Sequence, residues 1–183
     1  MPLIVVGNIV IGGTGKTPMV IWITKLLEKN GYKPGIVSRG YGGSSPKNPV
    51  MVNDDTSVDV SGDEPLIIYK NTQRPVCISS NRISAADKLI RETDTNIIIS
   101  DDGLQHYEMS RDLEIVVFDG NRGIGNGLCL PAGPLRESLE RLDDADFVVS
   151  SSRMTNIKTK HRNYLMNYRP IEWARIADNK RFP

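Results

Sequence analysis

A strand-like run, Leu3-Ile4-Val5-Val6, passes through a short connection into Gly12-Gly13-Thr14-Gly15-Lys16-Thr17, and this stretch constrains the fold more than any other in the chain. Glycines at 12, 13 and 15 let backbone N–H groups converge on phosphate oxygens. A helix opening at Lys16-Thr17 adds the partial positive charge of its N-terminus, Lys16 reaches the terminal phosphates, and the Thr17 hydroxyl is suited to ligate magnesium. A glycine turn that merely capped a helix would need neither the lysine nor the threonine. Lys16 and Thr14 therefore join Gly12, Gly13, Gly15 and Thr17 as candidate ligands of a nucleoside triphosphate, ATP by expectation, with Mg2+.

A β-strand followed by a loop and a helix is half of a βαβ unit, and the rest of the chain continues the alternation. Short β-branched runs predict strands over 3–6, 35–38, 76–79, 96–100, 114–118 and 146–150. Segments of helical period predict helices over 18–30, 64–69, 82–92 and 135–142. Alternation of this kind gives an α/β fold, a P-loop NTPase-like, mostly parallel sheet with helices on both faces. Glycine-rich loops stand where strands end, at 40–43, 62, 103 and 120–127, and in an open α/β sheet those carboxyl ends form the ligand crevice. Residues 1–150 read as one P-loop nucleotide-binding domain. Beyond Ser150 the alternation decays, and 151–183 reads as a linker or edge strand toward a second domain.

The charge balance excludes a global attraction to polyanions: 23 basic against 22 acidic residues leave a formal charge of +1, so no nucleic-acid partner is expected. Cys77 and Cys129 lie far apart without a Cys-x-x-Cys spacing, which suggests neither a zinc site nor a redox pair. No apolar run approaches the eighteen or so residues that a bilayer-crossing helix requires. The abrupt start, with Met1-Pro2 leading at once into a strand, points to a partial sequence.

A P-loop calls for a second element, an apolar strand ending in a carboxylate that holds magnesium. Asn96-Ile97-Ile98-Ile99-Ser100-Asp101-Asp102 supplies it. Between the two lies Gly62-Asp63-Glu64-Pro65, a second acidic pair before a helical segment. Asp63 can be read simply as a helix cap with Glu64 in a first turn favoured by the helix dipole. The alternative is a phosphoryl-transfer site in which one carboxylate holds metal while another orients the attacking hydroxyl.

Six ordered blocks then point to one family. Val6-Gly7-Asn8-Ile9 with the P-loop and Pro18, Ser38-Arg39-Gly40-Tyr41-Gly42-Gly43, Gly62-Asp63-Glu64-Pro65, Asp101-Asp102-Gly103-Leu104-Gln105-His106, Gly125-Asn126-Gly127, and Leu130-Pro131-Ala132-Gly133-Pro134-Leu135-Arg136-Glu137 together resemble tetraacyldisaccharide 4'-kinase, the lipid A 4'-kinase. Weaker similarity continues into Trp173-Ala174-Arg175-Ile176-Ala177-Asp178. The resemblance implies a phosphotransferase at the cytoplasmic face of the bacterial inner membrane. Its substrates would be ATP and the 4'-hydroxyl of an acylated glucosamine disaccharide 1-phosphate, a lipid A precursor. It also implies roles. Lys16 and Asp63 would be catalytic, Asp63 helping to activate the hydroxyl; Thr17, Glu64, Asp101 and Asp102 would serve magnesium; Tyr41, Arg82 and Gln105 would meet the lipid substrate. Arg39, Arg82 and Tyr41 also admit plain readings as solvated or packing side chains, and His106 reads as a structural hydrogen-bonding group.

Members of that family carry an N-terminal hydrophobic segment and a C-terminal half with an Asp-His-His segment, and neither is found in these residues, so the chain is expected to be the nucleotide-binding half, weakly active by itself. Two other readings stay open. The Gly-Gly-x-Gly-Lys-Thr core also suits partitioning and metal-pump ATPases, since Val10 stands where the strict P-loop spacing asks for glycine, although Ile11 replaces the signature lysine of those proteins. A non-catalytic nucleotide-binding fragment is the third.

Overall fold

Runs such as Ile97-Ile98-Ile99 and Ile115-Val116-Val117 are apolar at consecutive positions, so a strand built from them must be covered on both faces, as parallel strands in α/β folds are. A computed structural model, which describes residues 1–44, 46–152, 163–169, 173–175, 177–178 and 180–182, arranges them in that way. In chain order the elements are β1 (Leu3–Gly7), α1 (Lys16–Lys29), β2 (Pro34–Ser38), β3 (Val50–Met51), α2 (Val58–Ser61), α3 (Asp63–Thr72), β4 (Val76–Ile78), α4 (Arg82–Glu92), β5 (Ile97–Asp101) and β6 (Leu113–Phe118), then a 3-10 helix (Leu139–Asp144), β7 (Phe147–Ser150), β8 (Asn163–Leu165), β9 (Trp173–Ala174) and β10 (Arg181–Phe182).

Eight strands form one sheet in the order β3-β4-β2-β5-β1-β6-β7-β8. Every pair is parallel except β3 with β4 at the edge. β1 lies at the centre, between β5 and β6, and its register sets Val6 beside Asp101. The end of β1 that launches the P-loop is therefore adjacent to the acidic end of β5. The chain moves from β1 outward to one side through β2 and β4, and later to the other through β6 and β7, so a topological switch point falls at this end of β1.

Two apolar layers clothe the sheet. On one face Met19, Val20 and Ile23 of α1 and Leu66 and Ile68 of α3 pack on Val6, Ile36, Ile99 and Val117. On the other, Ala85 and Leu89 of α4 and Leu142 of the 3-10 helix pack on Val5, Val37, Ile98 and Phe118. The helices thus cover both faces, as the alternation predicts. Asn81 caps α4 through its side chain, which accepts from Ser84 N at 3.1 Å, and Gly31 follows the end of α1 at positive φ, the usual stop for a helix.

The predicted helix over 135–142 is a correction. Leu135 instead bridges Val10 and Cys129, and Arg136 N donates to Ile9 O at 2.7 Å, so the backbone here is committed to the P-loop segment before a short 3-10 turn starts at Leu139. Residues 163–165 form β8, parallel to β7, and β9 pairs with β10 antiparallel in a separate ribbon. Of the linker or edge strand expected over 151–183, residues 153–162, 170–172, 176, 179 and 183 lie outside the described residues.

Candidate active site

The P-loop takes its shape from glycines that no other residue replaces cheaply. Gly12 and Gly15 have φ of 98° and 94°, a left-handed backbone costly to side-chain-bearing residues. Gly15 is the N-cap of α1, so Lys16 and Thr17 open the helix and their backbone N–H groups have no partner within it. Asn8, fully buried at the end of β1, supports the loop from below: its Nδ2 donates to Thr14 Oγ1 at 3.0 Å. Lys16 is itself 8% exposed, and its Nζ lies 3.6 Å from Asp102 Oδ1.

Asp101 and Asp102 face the loop from the end of β5. Asp102 has φ of 47°, a strained conformation for a residue with a side chain, and such strain persists only where surrounding contacts over-determine it. Those contacts are present. Arg82 Nη2 donates to both Asp101 O and Asp102 O at 2.8 Å, and Arg136 Nη1 reaches both carboxylate oxygens of Asp102 at 3.0 Å. Asp101 is 1% exposed and accepts from Ser38 Oγ at 3.1 Å through Oδ2, while its Oδ1 has no protein partner. A buried carboxylate oxygen without a donor, in the cleft that Thr17 also lines, fits a divalent cation or the water around one.

A cleft of about 640 Å³ unites most of the predicted residues: the P-loop through Pro18, then Tyr41, Glu64, Arg82, Asp101, Asp102, Gln105 and His106. Ser38, Arg39 and Arg136 also line it. Asp63 does not. It stands exposed at the start of α3, its Oδ1 accepting from Glu64 N at 2.9 Å, beside the Tyr41-Gly42 turn. Tyr41 is 79% exposed at the cleft mouth, free to meet a ligand. Arg82 is buried rather than solvated, and beyond its two carbonyl bonds its Nε and Nη1 lack partners. Gln105 donates from Nε2 to Asn8 O at 3.0 Å and Glu137 Oε1 at 2.5 Å, which turns its carbonyl toward Arg136. Among the described residues no three His, Cys, Asp or Glu side chains gather around one point. A magnesium site that borrows phosphate oxygens and water does not need three.

Sequence reasoning passes over three members of this site. All three stand in blocks quoted for the family resemblance but without a role: Arg136 near the end of the last block, Asn8 and Ser38 beside strand ends.

The electrostatics follow from burial. Burial above all, with Glu64 and Asp102 nearby, pushes the Asp101 carboxyl up to about 7. Burial also lowers the Arg82 guanidinium to about 10, against the pull of Asp101 and Asp102. The sign for stability is set by Asp101 holding its proton in the folded state where the unfolded chain, at 3.8, has released it. Its contribution is therefore favourable at low pH and is lost as pH rises toward 7, a cost on the order of a few kcal/mol. Asp101→Asn should remove that slope. Comparing urea unfolding of the two proteins without metal between about pH 5 and 8, the variant is expected to gain stability relative to the parent as pH rises; a constant difference would mean Asp101 is ionised throughout.

Against known proteins, the family model described as Tetraacyldisaccharide-1-P 4'-kinase matches residues 1–182. A tetraacyldisaccharide 4'-kinase of Hahella chejuensis is 45% identical over 179 residues, which cover 98% of this chain and 52% of that protein. Those of Vibrio parahaemolyticus and Ruthia magnifica are 46% and 54% identical, over 88% and 82% of this chain and 52% and 48% of theirs. The chain thus spans about half the length of the curated relatives it matches. A crystal structure of LpxK from Aquifex aeolicus in complex with ATP superposes with a TM-score of 0.73 at 29% identity, covering 90% of this chain and 52% of that one.

Proposed function

The chain belongs to the tetraacyldisaccharide-1-P 4'-kinase family, and from that premise we propose that it supplies the nucleotide-binding half of a kinase that moves the γ-phosphate of ATP to the 4'-hydroxyl of an acylated glucosamine disaccharide 1-phosphate. One observation supports this reading above the others. The P-loop lysine and the strand-end acids meet across a single cleft, with Lys16 Nζ 3.6 Å from Asp102 and a partnerless buried oxygen on Asp101.

In this reading Gly12 to Thr17 cradle the phosphates, Lys16 neutralises the terminal ones, and Thr17 with Asp101, Asp102 and Glu64 would hold magnesium, which offsets charge developing on the transferred group. Arg136 fixes the Asp102 carboxylate, and Arg82 fixes the backbone turn beneath it. Tyr41, Gln105 and Arg82, which line the same cleft, are the candidates to meet the acceptor. Asp63, at the rim, is the candidate to orient the attacking hydroxyl, and it can do so only if the acceptor reaches over the Tyr41-Gly42 turn. Residues 1–150 act as the nucleotide-binding domain, with 151–183 leading toward the remainder of the fold. The acceptor's acyl chains imply a membrane surface at the cytoplasmic face; within the chain, no helix among the described residues is long and apolar enough to cross a membrane.

Phosphoryl transfer is governed by positioning, and a well-held acceptor contributes a large share of the rate. Assayed by themselves, these 183 residues, which span about half the length of the relatives, are expected to bind ATP but to transfer phosphate slowly. Labelled ATP and the acylated disaccharide 1-phosphate, with and without magnesium, beside a full-length relative, test this. Slow, magnesium-dependent label on the sugar supports the kinase reading. Label released only as inorganic phosphate, indifferent to the disaccharide, would instead make the chain an ATPase, and a rate equal to the relative's would mean that the other half is dispensable.

A further inference from the structure

The acids and arginines of the cleft are not distributed evenly about the P-loop. Ser38, Glu64, Arg82 and Asp101 come from β2, α3, α4 and β5, on one side of β1 in the sheet, and Arg136, which follows β6, reaches across to Asp102 on that side. Lys16 points the same way, toward Asp102. A triphosphate whose terminal groups lie among these charges has to send its nucleoside to the opposite side, over the carboxyl ends of β6, β7 and β8. Polar side chains of those ends are engaged by nearby backbone and side-chain groups: Asp119 Oδ1 accepts from Asn121 N at 3.0 Å, Ser151 Oγ accepts from Gly120 N at 3.2 Å, and Ser152 Oγ donates to Asn121 Oδ1 at 3.0 Å.

Two segments on that side return to the P-loop: the loop after β6, whose Arg122 guanidinium lies against Gly12 and whose Arg136 N donates to Ile9 O, and the stretch after β8. After β8, Met166 N donates to Ser150 O at 2.8 Å, and Met166 packs against the core layer that includes Met19 and Val149. Two residues on, the side chain of Tyr168 leans over Gly15. A Cβ added to Gly15 would overlap the Tyr168 hydroxyl and lie 3.0 Å from the Met166 methyl. Tyr168 is nonetheless 52% exposed, so one part of the ring is held against the loop while the rest faces outward. A rigid aromatic ring, with a thioether behind it, at the place where a nucleoside must emerge is a surface suited to a flat purine.

We infer that Tyr168, backed by Met166, forms the nucleoside-binding wall of the triphosphate site, so that the stretch after β7 contributes to nucleotide binding as well as connecting domains. The inference rests on the proposed nucleotide site and adds what the P-loop alone does not specify, the place of the base. It separates two parts of one ligand: the phosphates depend on Lys16, the base on Tyr168.

Calorimetric titration of the 183-residue chain with magnesium ATP and with magnesium tripolyphosphate tests it. Tyr168→Ala is expected to weaken ATP roughly tenfold, the scale of a lost base–aromatic contact, and to leave tripolyphosphate unchanged, which also reports that the loop is intact. Tyr168→Phe should match the parent, because the ring and not the hydroxyl does the work. Lys16→Ala should weaken both ligands alike. Unchanged ATP affinity in Tyr168→Ala overturns the inference while leaving the P-loop assignment standing. Tighter binding of both ligands in Tyr168→Ala also overturns it, making Tyr168 a cap over the phosphates. A parent that binds neither ligand removes the nucleotide site itself, and the inference with it.

Discussion

Lys16→Ala is expected to weaken magnesium ATP binding roughly 10- to 100-fold, the range that a charge-assisted contact of about 1.5 to 3 kcal/mol commands, while the fold persists. The separation of the two effects follows from how Lys16 is held. Its ammonium projects into the cleft toward Asp102. Asp102 would not be orphaned by its loss, because Arg136 already engages both carboxylate oxygens. Alanine is also a good helix former for the opening turn of α1. Titration with a fluorescent ATP analogue, alongside thermal unfolding of the free protein, distinguishes the outcomes. Unchanged affinity in a folded variant would end the P-loop assignment, and a collapse of the fold would show that Lys16 is chiefly a structural member of the cleft.

The central strands and the P-loop were legible because each signal is local. An isoleucine run is a buried strand whatever follows it, and Gly-Lys-Thr after such a strand has few other uses. The acids at 101 and 102 were legible for the same reason, standing at the end of the apolar run that becomes β5. What escaped is non-local. Asn8 matters because it holds Thr14, Ser38 because a partner 63 residues away needs a donor, and Arg136 because Asp102 lies 34 residues before it. No periodicity encodes such pairs. The edge strand β3 is two residues long, and α2 is a single turn, both too short to leave a pattern. The misplaced helix at 135–142 has a clearer cause: the amphipathic spacing is real, but Leu135 and Arg136 are spent on backbone pairing with Val10 and Ile9, and tertiary pairing overrides a weak propensity.

Glu114 carried a signal that could have been used, a lone acid in the apolar run Leu113-Glu114-Ile115-Val116-Val117-Phe118, and it yields the second large prediction. Its side chain is 7% exposed and pairs with Arg111 Nη1 at 2.7 Å and Arg141 Nη2 at 2.5 Å. Burial works to raise the Glu114 carboxyl, but the hydrogen bonds and charges of Arg141 and Arg111 outweigh it and hold the group below the usual range. Deleting one member of a buried ionic cluster leaves the others uncompensated, a loss of about 3 to 5 kcal/mol. Glu114→Ala is therefore expected to lose that much, since Arg111 and Arg141, 14% and 11% exposed, would face each other without the anion. Replacing Glu114 and Arg141 together with apolar residues should cost less than the sum of the single changes, because the double variant strands fewer charges. The cluster also touches the cleft. Arg141 Nε lies 3.5 Å from Glu137 Oε2, and Glu137 receives the Tyr107 hydroxyl and orients Gln105. Loss of Glu114 should thus reach the nucleotide only through Gln105 and Arg136, lowering affinity far less than stability. Urea unfolding of the two single variants and the double, with ATP titration of each folded protein, decides it; a stability loss below about 1 kcal/mol in Glu114→Ala would mean that water replaces the carboxylate and the cluster is no more than a solvated surface network.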